Sequence, residues 1–153
     1  MAIESAICNS FKQEILVEGH NFTNGTDAFK LALFTSSATL SKSTTAYTAP
    51  TDGTADPTST HEVSSTSTGY TTGGNALTST TPVLSGDTAC CKFADTSFTS
   101  ASFTARGCLI YNSTNANKAV CSINFGADKT VTSGTFTIQF PAQTTGNAII
   151  QIA

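Results

Sequence analysis

The chain has no tryptophan, one methionine and one arginine, and only 11% of its 153 residues are charged. Typical soluble domains carry about 25% charged residues. Seven basic against ten acidic residues leave a formal charge of −3, which excludes the clustered Lys and Arg of a nucleic-acid grip. No run of 18 apolar residues occurs, so no membrane-spanning helix is expected. The first residues carry Glu4 and no basic stretch ahead of an apolar one, so no secretory signal is expected. No C-x-x-C pair is found among Cys8, Cys90, Cys91, Cys108 and Cys121. An odd count of this kind predicts buried free thiols in a protein made in a reducing cytoplasm.

Signatures of catalysis are equally scarce. His20 follows Gly19, and His61 stands beside Glu62 in a polar stretch; neither belongs to an H-E-x-x-H pattern or a zinc set with the cysteines. Both read as ordinary loop histidines. Asp87, Asp95 and Asp128 lie in or beside turns, where Asp closes its own turn on the backbone. No G-x-S-x-G elbow and no P-loop appear, and Gly73-Gly74 reads as a turn rather than a phosphate cradle. Arg106 allows two readings, a solvated edge position or a paired, partly buried guanidinium. Three N-x-S/T sequons match chance for a chain this rich in hydroxyls. No catalytic residue, cofactor site or metal set is expected, and the chain does not read as an enzyme.

What the chain does have is hydroxyls: 29 Thr and 18 Ser. Thr favours strands and Ser favours turns, so the composition points to an all-β domain. The length suits one domain over residues 1–153. Ile3, Ile7, Phe11 and Ile15 recur every four residues and predict one N-terminal helix over residues 3–18, stopped by Gly19 in a left-handed conformation. Ala28–Thr35 predicts a strand. Residues 36–76 read as a long polar loop with a short strand near Thr45–Thr48. Strands are then expected at Leu77–Leu84, Ala89–Ala94, Ala101–Tyr111, Ala119–Phe125, Gly134–Phe140 and Ala148–Ile152. The breaks between them include Asn112–Asn117 and Gly126-Ala127-Asp128. This spacing predicts an antiparallel β-sandwich of jelly-roll type with one N-terminal α-helix.

The sequence resembles a family of small structural proteins of tailed-bacteriophage virions. The match starts at Ala6-Ile7-Cys8-Asn9-Ser10-Phe11-Lys12-Gln13-Glu14 and continues through His20-Asn21-Phe22 into Phe29-Lys30-Leu31-Ala32-Leu33-Phe34-Thr35-Ser36-Ser37-Ala38-Thr39-Leu40. It resumes at Gly69-Tyr70-Thr71-Thr72-Gly73-Gly74-Asn75 and is plainest at Phe103-Thr104-Ala105-Arg106-Gly107 with Ile110-Tyr111-Asn112. Phe125-Gly126-Ala127-Asp128-Lys129 and Phe136-Thr137-Ile138-Gln139-Phe140-Pro141 complete it, while Ser41–Ser67 departs from the pattern.

The resemblance implies a place in the virion, as a capsid cement or decoration protein that stabilises the major capsid lattice. The alternative is a tail or fibre module whose polar loop binds a host receptor or glycan. Under the first reading the partners are the major capsid protein and further copies of the chain, with no nucleic acid and no membrane. A homotrimer is expected, since cement proteins often occupy three-fold lattice positions. The expected interface is the helix stripe of Ile3, Ile7, Phe11 and Ile15, with Tyr47 and Tyr70 of the loop as amphipathic anchors.

Overall fold

A computed structural model describes residues 2–153. Two antiparallel sheets stack into a β-sandwich with one short helix. The strands are β1 (Ala6–Ile7), β2 (Phe29–Phe34), β3 (Asn75–Leu77), β4 (Val83–Ser85), β5 (Thr88–Cys91), β6 (Thr96–Asn112), β7 (Lys118–Ile138) and β8 (Ile150–Ile152). The larger sheet has the order β1-β7-β6-β2-β3, the smaller β4-β5-β8.

Strand register assigns the two faces of the larger sheet. Leu31 pairs with Ile110, Leu33 with Cys108, and Ile7 with Cys121, so these side chains share one face. Phe29 joins them and stacks on Phe22 at 4.6 Å, with Phe93 at 5.5 Å and Phe140 beyond it. Ala32, Leu109 and Tyr111 point the other way, and Tyr111 stacks on Tyr47 of the long loop at 4.5 Å. Both faces are therefore covered, which is why β2 is buried at five of its six positions and alternation fades there.

The N-terminal segment corrects the expected helix. Helix α1 spans only Asn9–Glu14, continued by a 3-10 turn at Ile15–Val17. Ile3 instead bridges Leu40, and Ala6 and Ile7 pair with Ser122 and Cys121 as β1. A bare six-residue helix is a poor nucleus, whereas strand pairing satisfies these backbone groups at once. The left-handed residue at the helix end is Glu18 (φ 57°), not Gly19. Gly19 is needed for space, because a Cβ there would lie 2.8 Å from the Glu14 carbonyl oxygen.

Other boundaries also move. The short strand near Thr45–Thr48 reduces to one bridge, Ala46 to Lys118. Leu77–Leu84 splits into the ends of β3 and β4, with Pro82 between them. Ala119–Phe125 and Gly134–Phe140 fuse into the 21-residue β7. Gly126-Ala127-Asp128 does not end the strand. It bulges out, since β7 advances from Asn124 to Lys129 while β6 moves only from Gly107 to Ala105. Gly126 (φ 80°) supplies the left-handed turn the bulge requires.

Candidate interaction surface

Three polar centres emerge from the fold, and two of them are internal. The long loop is tied down rather than mobile, by the carboxylate of Glu62. That residue is 0% exposed. Its Oε1 accepts hydrogen bonds from the Tyr70 hydroxyl (2.6 Å) and the Gly73 N–H (2.7 Å), and its Oε2 accepts one from the Tyr47 hydroxyl (2.9 Å). Tyr70 also accepts from the Leu33 N–H, and Tyr111 donates to the Gly73 carbonyl. The loop is thereby pinned to β2 and β6. Burial pushes the Glu62 carboxyl above the usual range, against the three donors that pull it down. Burial and the neighbouring Glu62 raise the Tyr47, Tyr70 and Tyr111 hydroxyls in turn. Gly73-Gly74 is a turn, as expected, and a Cβ on Gly74 would sit 1.8 Å from the Leu31 carbonyl oxygen. The Gly73 N–H is spent on Glu62, so no phosphate cradle remains.

The second centre holds His20, which is buried and not the ordinary loop histidine expected. Its Nδ1 accepts from the Asn112 side-chain amide (3.2 Å), so its Nε2 carries the proton and donates to Glu14 (2.8 Å). The same Asn112 amide donates to Asp27 (2.7 Å), and its oxygen caps the Thr114 and Asn115 N–H groups of the β6–β7 turn. The network stitches the helix end to that hairpin. His61 is half-buried at φ 59°; its ring bonds to the Pro57 carbonyl and its own carbonyl accepts from Thr35.

The third is Arg106, whose two readings combine: it pairs with Asp128 at 3.1 Å, yet both side chains remain partly exposed. That pair ties the β7 bulge to β6 and contributes at most about 1 kcal/mol.

All five cysteines are free and buried. Burial pushes the Cys8 thiol up to about 11 and those of Cys91 and Cys121 up to about 12. Cys108 also rises well above the usual thiol range, through burial and its neighbour Cys121. Cys8, Cys91, Cys108 and Cys121 are thus core packing groups held as thiols at neutral pH. Among the described residues no group of three or more His, Cys, Asp or Glu is arranged to hold a metal ion.

The expected interface residues are thus mostly interior. Ile3 lies under the loop against Gly107. Phe11 packs on His20 and Phe22, and Tyr47 and Tyr70 face Glu62. Ile3, Tyr47 and Tyr70 are therefore committed inside the fold, and Phe11, though buried, forms one wall of a surface groove. Ile7 and Ile15 are half-buried and do reach the surface.

The outward apolar surface lies instead along one flank of the sandwich. β1 and β7 border the larger sheet there, and β8 borders the smaller. An open groove of about 700 Å³ is lined by Ile123, Phe125, Phe136, Ile138, Phe140 and Ile149. A second, of about 280 Å³, is lined by Ile7, Phe11, Ile15, Leu16, Ile150 and Ile152. The consecutive residues Ile149 and Ile150 line one groove each. Leu16 is 83% exposed and Ile152 55%. Sequence alternation assigns Phe136 and Ile138 to the core; they are half-buried, because the smaller sheet has only three short strands and leaves this stretch of β7 uncovered.

No protein-family model, curated protein or solved structure matches the chain.

Proposed function

We propose that the chain is a virion structural protein, a capsid cement or decoration protein bound in many copies to the major capsid lattice. The observation that carries this reading is the apolar flank just described. Seven large apolar side chains in these two grooves are half-buried, and Leu16 and Ile152 are exposed beside them. Contiguous apolar surface rimmed by polar residues marks a protein-binding site. The family resemblance supplies the context. The charge-poor, hydroxyl-rich composition suits a component packed among neighbours.

The proposed mechanism is thermodynamic. A protein that binds the assembled lattice and not its dissociated subunits stabilises the lattice by mass action. No bond is made or broken. The tail-module alternative keeps the exposed Ser and Thr residues of the long loop but not its tyrosines, since Tyr47 and Tyr70 are committed to Glu62 inside the fold.

The test is the heat stability of particles. Heads prepared without the protein should disrupt at lower temperature, and adding purified protein should restore the higher transition in proportion to the sites filled. Identical transitions with and without the protein would remove the reading.

A further inference from the structure

Among the described residues, the edge of β7 from Lys129 to Ile138 has no strand partner. β1 covers Cys121 and Ser122 and the Ala46 bridge covers Lys118, whereas from Lys129 to Ile138 the strand pairs on one side alone, with β6. The other outer strands avoid this exposure by being two or three residues long: β1, β3, β4 and β8. An open edge offers a row of unpaired N–H and C=O groups, and proteins blunt such edges with lysine, proline or bulges. From Thr130 to Phe140 there is no charged residue and no proline. There are bulges, and they divide the edge. One lies at 125–128, another between Val131 and Gly134, where Ser133 takes φ 47°. What remains open and unbulged in β7 itself is Gly134–Ile138; the bulge opposite it, between Phe98 and Ala101, belongs to β6, where Ser100 takes φ 50°.

We propose that this tract pairs, antiparallel and about a two-fold axis, with the same tract of a second copy of the chain. A dyad perpendicular to the sheet keeps equivalent side chains on the same face in both copies. Centred on Phe136, the pairing sets the two Phe136 rings opposite one another and Ile138 opposite Gly134, where there is no side chain to obstruct it. The tract carries no charge, so self-pairing meets no like-charge repulsion. The first groove, which Phe136 and Ile138 help to line, then lies at the junction of the copies. The flanking bulges stop the pairing from spreading, and closure of the dyad stops it from growing into a filament. The second groove, with Leu16 and Ile152, stays free. The expected assembly is therefore a dimer and not the trimer expected from lattice positions; the physical motive for that trimer, a wide stripe on a helix over residues 3–18, is absent from the fold.

This inference does not depend on the capsid reading, since the free protein alone tests it. Thr135 and Thr137 are exposed, and the pairing places Thr135 of each copy opposite Thr137 of the other. Light scattering over a concentration series should give wild-type protein about twice the chain mass of 15.7 kDa. The double variant Thr135→Lys/Thr137→Lys should weaken the dimer by more than about tenfold, because each copy sets lysine against lysine. Mixing it with Thr135→Glu/Thr137→Glu should restore a mass of two chains, which shows both variants to be folded. Wild-type protein that stays monomeric at its solubility limit, or that runs as a trimer, overturns the proposal. So does a dimer that survives the lysine pair, or a failure of the two charge variants to combine when both retain wild-type circular dichroism.

Discussion

The Glu62 carboxylate has three donors around it and, among the described residues, no cation in contact. Its folded-state pKa lies above that of an exposed glutamate, so the folded chain keeps the proton to higher pH than the unfolded chain does. This group's contribution is thus most favourable below the unfolded pKa, declines as pH rises through the folded pKa, and is flat above it. Glu62→Gln should remove that decline, seen by comparing denaturant midpoints of the two proteins from about pH 4 upward. Tyr70→Phe should cost about 2–3 kcal/mol at neutral pH. It removes a donor from a buried charge and leaves the Leu33 N–H unpaired. Tyr47→Phe removes one bond only and should cost less, about 1–2 kcal/mol. The thiols provide a second check at this scale. With pKa values raised to about 11 and 12 at Cys8, Cys91 and Cys121, Ellman's reagent should react slowly with folded protein and with all five cysteines once it is unfolded.

At the scale of elements, the N-terminal segment separates two descriptions by mutation. If Ile3 and Leu16 shared one helix stripe, truncating either would have a comparable effect. In the fold Ile3 is buried in a bridge to Leu40, while Leu16 is open to solvent. Ile3→Ala should therefore cost about 2–4 kcal/mol and Leu16→Ala less than about 0.5, both read from urea unfolding. Strands with one polar face, such as Gly134–Phe140, were legible from alternation alone, and β2 was legible from its run of Phe, Leu and Ala. The helix length was not, because a four-residue spacing of isoleucines also serves a chain that alternates bridges, strand and helical turn. Nor was the continuity of β7: Gly-Ala-Asp is the signal of a turn, and only the pairing with β6 distinguishes a bulge from a stop. Glu62 had no local signature. Its partners Tyr47, Tyr70 and Gly73 are spread over residues 47–73 of a loop with no periodicity, and only long-range closure brings them together. The half-exposure of Phe125, Phe136 and Ile138 was illegible for a related reason, since alternation shows which side of a strand is apolar but not whether a second layer reaches it.

At the scale of the whole molecule, two properties combine: an interior closed by internal hydrogen bonds, and one flank left apolar. The first fixes the shape of the second. The loop that would otherwise be free is pinned to β2 by Glu62, so binding at the flank need not order a loop and avoids that entropic cost. On the proposed pairing, a second copy covers the β7 edge, and the groove beside Leu16 and Ile152 is left for a different neighbour. If the chain is the lattice component proposed, it must be abundant. The number of copies in purified virions, measured against the major capsid protein by quantitative mass spectrometry, tests that most directly. The account predicts a copy number of the same order as the major capsid protein. A handful of copies per particle, or none, would contradict it.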